Sequence, residues 1–356
     1  MKKIFPLIIA ALLAGSADAQ KPFTGSKAVV NTTFIYQKND VSFPECHAST
    51  VVETGEGLVA AWFGGTEEKH RDVCIYTARR INGKWQKPVL AADGKEDGTK
   101  YPCWNPVLFR RDNGDLILYY KVGPDPRSWW GMYKISTDQG KTWSAAEKIP
   151  GDLLGPIKNK PVRLTNGTIL YPTSVETRQT WQSYMEVSDQ DLKNWTKIDI
   201  DNGDYQTIQP TVLFYPGGSL QILCRSKNQV IAKSWSRDNG KSWSEMKAST
   251  LPNNNSGIDA VTLLDGRQLL VLNPVTKGRN VLGVALSKDG QAWEAAVLLE
   301  NDTDPEAEYS YPAVIQSNDK LIHITYTWNR KLIRHVVIDP EKLQTKSIQN
   351  GKWPEE

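Results

Sequence analysis

The segment GTEEKHRD, residues 65–72, crowds three carboxylates, a histidine and two further basic side chains into eight residues. A carboxylic acid so placed can donate or accept a proton in a transition state. The other residues able to do chemistry stand far apart: His47, Gln209, Arg225, Arg279 and the Tyr309-Ser310-Tyr311 triplet. Arginine presents a planar fork that grips a carboxylate through two hydrogen bonds. Tryptophan and tyrosine offer flat faces to a ring-shaped ligand. These types suit recognition of a polar, anionic, ring-shaped molecule, with proton transfer to one of its atoms. Nothing local holds them together, so the fold must.

That fold is written as a repeat. Tryptophans at positions 85, 143, 195, 243 and 293 are separated by 58, 52, 48 and 50 residues, a spacing that marks propellers and repeat arrays. Each closes a copy of one phrase: ISTDQGKTW and WSRDNGKSW, then the degenerate SDQDLKNW, SKDGQAW and ARRINGKW. Before each phrase lie two Val/Leu/Ile-rich runs around a Gly- or Asn-containing turn, as in VLFRRDNGDLILYY, which signals a β-hairpin. A third apolar run follows (DVCIYTAR, WGMYKIS, QSYMEVS, VIAKSWS, VLGVALS, LIRHVVI), and the Trp-bearing segment is read as a fourth strand. Six such copies predict an all-β fold, a six-bladed β-propeller. The sixth copy lacks a clear fourth strand; AVVNTTFIY, residues 28–36, is expected to supply it and so close the ring without an open edge.

The repeated phrase reads as a structural turn between third and fourth strands. Asp138 and Asp238 can accept hydrogen bonds from turn amides, and Gly140 and Gly240 supply a left-handed position. Trp143 and Trp243 carry large apolar faces into the gaps between blades. Turns alternate ends along up-down strands, so the phrase shares a face with the hairpin turns, and function belongs at the opposite face. That face is built from inner-strand starts and second-to-third-strand links. Strand starts give His47, Trp104, Asn105, Lys158, Lys160, Gln209, Asp259, Tyr309 and Tyr311. The links give Glu68, Asp72, Lys121, Arg225 and Arg279, with Glu176, Trp328 and Arg330 among their neighbours. An apolar core needs none of these, and the collection points to a sugar-acid site.

The chain opens MKKIFPLIIAALLAGSADAQ: two lysines, an apolar run from Ile4 to Leu13, and Ala17-Asp18-Ala19. This reads as a cleaved signal peptide over residues 1–19, too short in its apolar core to span a bilayer and without a lipid-bearing cysteine. Residues 20–356 are expected to be one exported propeller domain, periplasmic where the source has two membranes and not inserted in either. Without Lys2, Lys3 and Asp18, 41 basic residues face 39 acidic ones, a balance that argues against nucleic acid as a partner. Cys46, Cys74, Cys103 and Cys224 allow two disulfides, Cys46–Cys103 among them, or four separate buried thiols. There is no HExxH, paired CxxC, Walker loop or GxSxG, and His47, His70, His323 and His335 are not spaced as a metal cluster. No cofactor is expected.

The Ser-x-Asp-x-Gly-x-Thr-Trp phrase resembles the Asp box of sialidases and their bacterial-neuraminidase-repeat (BNR) relatives. The likeness extends through CHASTVVE, AWFGGTEE, PCWNPVLF, GPIKNKPV, IQPTV, NSGIDAV and YSYPAVIQ, phrases similar to the BNR group labelled exo-α-sialidase. The resemblance implies a glycosidase acting on a glycan. Arg225 and Arg279 would hold the substrate carboxylate, Tyr309 would be the nucleophile, and Asp72 or Glu68 the acid/base. Two positions depart from the family pattern. His47 stands where the first arginine is expected, and Gln209 replaces the glutamate that polarises the tyrosine. An amide cannot take the tyrosine proton, so Glu308 or His47 would have to. Lys158, Lys160 or His47 would assist a two-arginine clamp. Two rival readings follow: a His47-dependent glycosidase or lyase, as in propellers resembling rhamnosidases and polyuronate lyases, and a glycan-binding propeller without turnover.

Overall fold

The computed structural model describes residues 26–354; the leader read from the sequence lies outside them. Six sheets of four or five strands follow one another along the chain. Their inner strands begin at Glu45, Cys103, Val162, Thr207, Asp259 and Tyr309 in blades 1 to 6. In blades 2, 4 and 1 the second strands LILYYKV, SLQILCRS and GLVAAWFGG are buried along nearly their whole length. A blade is covered on both faces by its neighbours, so these strands are apolar on both faces rather than alternating. The outer strand of blade 2, Glu147–Lys148, is short and faces solvent, both its residues being exposed.

The ring closes as the sequence suggests. Val29–Phe34 pairs antiparallel with Leu332–Ile338 and is the outer strand of blade 6. The C-terminal segment adds a strand the sequence reading does not anticipate: Lys346–Ser347 extends blade 5 beyond Glu294–Asn301.

The repeated phrase is the turn expected of it. Asp138 accepts from Ser136 Oγ at 2.8 Å, Thr142 Oγ1 at 2.6 Å and the Lys141 and Thr142 amides. Asp238 repeats the pattern with Ser236 and Ser242. Left-handed backbone falls on Gln139 and Asn239 as well as on the following glycines. Gln139 Oε1 accepts the Gly55 amide in the hairpin turn of blade 1, so both turns do lie on one face. Trp143, Trp195, Trp243 and Trp293 each pack against the preceding blade's core. Trp143, Trp243 and Trp293 stand just before their outer strands rather than within them. All four cysteines are free and buried.

Candidate active site

Four inner strands carry the same irregularity near their start. In blades 1, 2, 4 and 6 the ladder skips, so that Ala48-Ser49, Asn105-Pro106, Gln209-Pro210 and Tyr311-Pro312 each oppose a single residue. Ala48, Asn105, Gln209 and Tyr311 have φ of +57°, +39°, +56° and +53°. A bulge leaves one residue out of the ladder and re-aims its side chain; it is also where a strand tolerates proline. Non-glycine residues at positive φ cost on the order of 1–3 kcal/mol each and concentrate at functional sites.

The bulges make the site. Tyr311 Oη accepts Arg225 Nη1 at 2.7 Å and Gln209 Nε2 at 3.3 Å, joining blades 4 and 6. An oxygen that accepts two hydrogen bonds keeps its own O–H free to donate. The Arg225 guanidinium is fixed by Gln209 Oε1 at 3.2 Å, Asn255 Oδ1 at 3.1 Å and the Asn255 carbonyl, and it lies 5.6 Å from the Trp181 ring centre. The His47 ring is 4.1 Å from that of Tyr311, centre to centre, and its Nδ1 is 2.9 Å from Thr327 Oγ1. Arg279 approaches the same tyrosine at 5.8 Å and donates to Glu308 Oε1 at 2.8 Å. Glu308 also accepts from Arg330 and Ser310, and Arg330 continues to Glu68.

The electrostatics are lopsided. Burial, then Arg330, Arg279, Arg225 and Lys158, hold His47 well below the ordinary histidine value. Burial would raise the Glu308 carboxyl, but Arg330 and Arg279 prevail and lower it. Asp72 is likewise held down to about 2: burial is outweighed by the Thr66 hydroxyl and amide and by His70. It stays ionised at neutral pH and has no proton to give.

Several residues expected around the mouth are placed otherwise. Tyr309 is not at the axis. Its ring packs in the seam between blades 5 and 6, and its hydroxyl donates to Asp302 at 2.8 Å. There it lines a side cavity of about 430 Å³ with Glu306, Trp328 and Lys331. The bulge turns Tyr311, two residues on, into the position expected of Tyr309. Lys121 is buried toward blade 3, donating to the Pro156 carbonyl at 2.8 Å. Burial pushes its ammonium down to about 7, opposed by Glu186. Lys160 and Asp259 satisfy each other at 2.9 Å, with Thr211 and the Val314 amide also on the carboxylate. Lys158 bonds the Ile258 and Pro312 carbonyls and Asn159 those of Gln209 and Pro210, so both hold backbone at the bulges. Trp104 is buried against Trp129 and donates to the Gly123 carbonyl. Asn105 is buried at its bulge.

Asn255 and Trp181 belong to the site without having been read from the sequence, and Arg330, named there only as a neighbour, links Glu308 to Glu68. A sequence signal for the axial positions did exist: Asn-Pro, Gln-Pro and Tyr-Pro recur at one place in three inner strands, where an interior proline demands a bulge.

A profile of the BNR repeat-like domain family matches residues 56–324. Among solved structures, a Dyadobacter fermentans protein of unknown function aligns at 17% identity and a TM-score of 0.69, over 87% of this chain and 98% of its own. A K499G mutant of the NanB sialidase of Streptococcus pneumoniae aligns at 12% identity and a TM-score of 0.69, over 94% and 73%. The intramolecular trans-sialidase of Ruminococcus gnavus, solved with oseltamivir carboxylate, aligns at 15% and 0.67, over 90% and 100%. No curated protein matches the chain. At these identities the likeness is one of fold, a sialidase-like six-bladed propeller.

Proposed function

The chain belongs to the BNR repeat-like domain family, and on that premise we propose that it is an exported exo-glycosidase removing a terminal acidic sugar, sialic acid or a related ulosonic or uronic acid, from glycans. One observation carries the reading: Arg225, Arg279 and Lys158 stand 5.7, 5.8 and 5.8 Å from the Tyr311 ring centre, beside His47, and with Arg330 their field adds to burial in lowering that histidine. The same field attracts a carboxylate. In this reading Arg225 and Arg279 hold the sugar carboxylate, as charge-assisted donors. Tyr311 presents its hydroxyl to the anomeric centre, and Trp181 walls the arginine side.

Gln209 favours a second reading, glycan binding without turnover. Its Nε2 donates to the tyrosine oxygen and its Oε1 accepts from Arg225, so it takes no proton. The depressed His47 value keeps that ring neutral rather than protonated, which weakens a mechanism in which His47 is the acid. A panel of acidic oligosaccharides incubated with the mature protein, followed by mass and ultraviolet detection, tests all three. Release of a saturated acidic monosaccharide supports the exo-glycosidase; an unsaturated, ultraviolet-absorbing product means a lyase; retention on a glycan array with no product means a binding protein.

A further inference from the structure

The exo-glycosidase reading needs a proton donor for the leaving oxygen, and Asp72 and Glu68, the acids assigned from the sequence, are engaged elsewhere, as are Glu308 and Asp125. Asp72 is tied to Thr66, Glu68 to Arg330, Glu308 to Arg279, Arg330 and Ser310, and Asp125 to Arg127. Glu176 differs. It ends the second strand of blade 3, paired in register with Trp181, whose ring faces Arg225 at 5.6 Å and Lys227 at 4.1 Å. Among the described residues its carboxylate takes part in no hydrogen bond or ion pair. It nevertheless senses Arg225 and Lys227 of blade 4, Glu68 from the blade 1 link, and Asp125 and Arg127 from the blade 2 link. Cross-strand partners project from the same face of a sheet, so Glu176 stands beside Trp181 and, through it, beside the Arg225 guanidinium that donates to Tyr311.

We propose that Glu176 is the catalytic acid of this site, delivering its proton to the bridging oxygen of the glycoside. The assignment rests on the exo-glycosidase reading. The bond between the anomeric carbon and the bridging oxygen breaks with its electron pair on that oxygen, which takes the Glu176 proton. Water then adds to the anomeric carbon, and the proton it sheds returns to Glu176, restoring the acid. Burial supports this by raising the carboxyl above its ordinary value; Glu68 and Asp125 add to the rise, against Arg225 and Lys227.

The test is Glu176→Gln, which keeps the shape and removes the titratable proton. Two probes of the same sugar are compared, the 4-nitrophenyl glycoside and the natural disaccharide, beginning with 4-nitrophenyl N-acetylneuraminic acid and N-acetylneuraminic acid linked α2,3 to galactose. Nitrophenolate leaves without protonation and the disaccharide does not. The expected result is a loss of about 10²–10⁴-fold in kcat/KM on the disaccharide, and less than about tenfold on the nitrophenyl glycoside. The alkaline limb of the disaccharide profile should vanish, because glutamine cannot deprotonate. Unchanged circular dichroism and Tm establish that the variant is folded; Glu176→Asp, which keeps the acid on a shorter arm, should recover part of the loss. Equal losses on both probes, or an intact alkaline limb, would overturn the role of Glu176 while leaving the glycosidase standing. A wild type that cleaves no acidic glycoside removes the glycosidase reading, and the acid with it.

Discussion

The two tyrosines of the YSYP segment should behave in opposite ways. Tyr309→Phe deletes one hydroxyl that bonds Asp302 beside a solvent-open cavity. Water can replace that partner, so the cost is about 0.5–1.5 kcal/mol of stability, and turnover should stay within about threefold of wild type. Tyr311→Phe deletes an oxygen that receives one N–H from Arg225 and one from Gln209, both buried. Leaving two such donors unpaired costs about 1–3 kcal/mol each before relaxation. The larger effect is on chemistry: losing one preorganised group at the reacting centre typically removes about 10²–10³ in kcat, or 2.7–4 kcal/mol of barrier. The assay is kcat/KM for release of the acidic sugar found with the glycan panel, with Tm as a control for folding. If Tyr309→Phe abolished turnover and Tyr311→Phe preserved it, the claim that the bulge sets the axial tyrosine would be wrong.

Arg225→Ala and Arg279→Ala should each weaken calorimetric binding of the released acidic sugar by about 10–150-fold, the worth of a charge-assisted bond at about 1.5–3 kcal/mol; unchanged affinity would dismiss the clamp. His47 should show no ring titration by NMR between pH 8 and 5.5, since burial and four cations depress its value, and a midpoint near 6.5 would contradict the field inferred around it. Asp138→Ala should lower stability by about 1–2 kcal/mol, through loss of its turn hydrogen bonds, while kcat/KM is unchanged. Asp138 and Asp238 are both held down to about 2. Their folded values lie below the unfolded ones, so their stabilisation is full above about pH 4 and is lost as pH falls through about 2. The acid limb of unfolding should therefore be shallower in the Asp138→Ala/Asp238→Ala double variant.

The sequence by itself determined the ring. Short apolar runs, hairpin turns and the Asp138 and Asp238 turns are local, each settled within about ten residues, so six copies could be counted and the missing strand assigned to residues 28–36. It also determined which end of the ring to search, because turns in up-down strands alternate ends. Only the tertiary structure decided which residues of that end act together. The exchange of Tyr309 for Tyr311 depends on a skipped ladder position, and one skip reverses the face to which every following side chain points. The engagement of Lys121 and Lys160 depends on partners 35 and 99 residues away. Whether a carboxylate is engaged, as Glu308 is by Arg279 and Arg330, or left without a hydrogen bond among the described residues, as Glu176 is, depends on which donors the neighbouring elements bring to it in space.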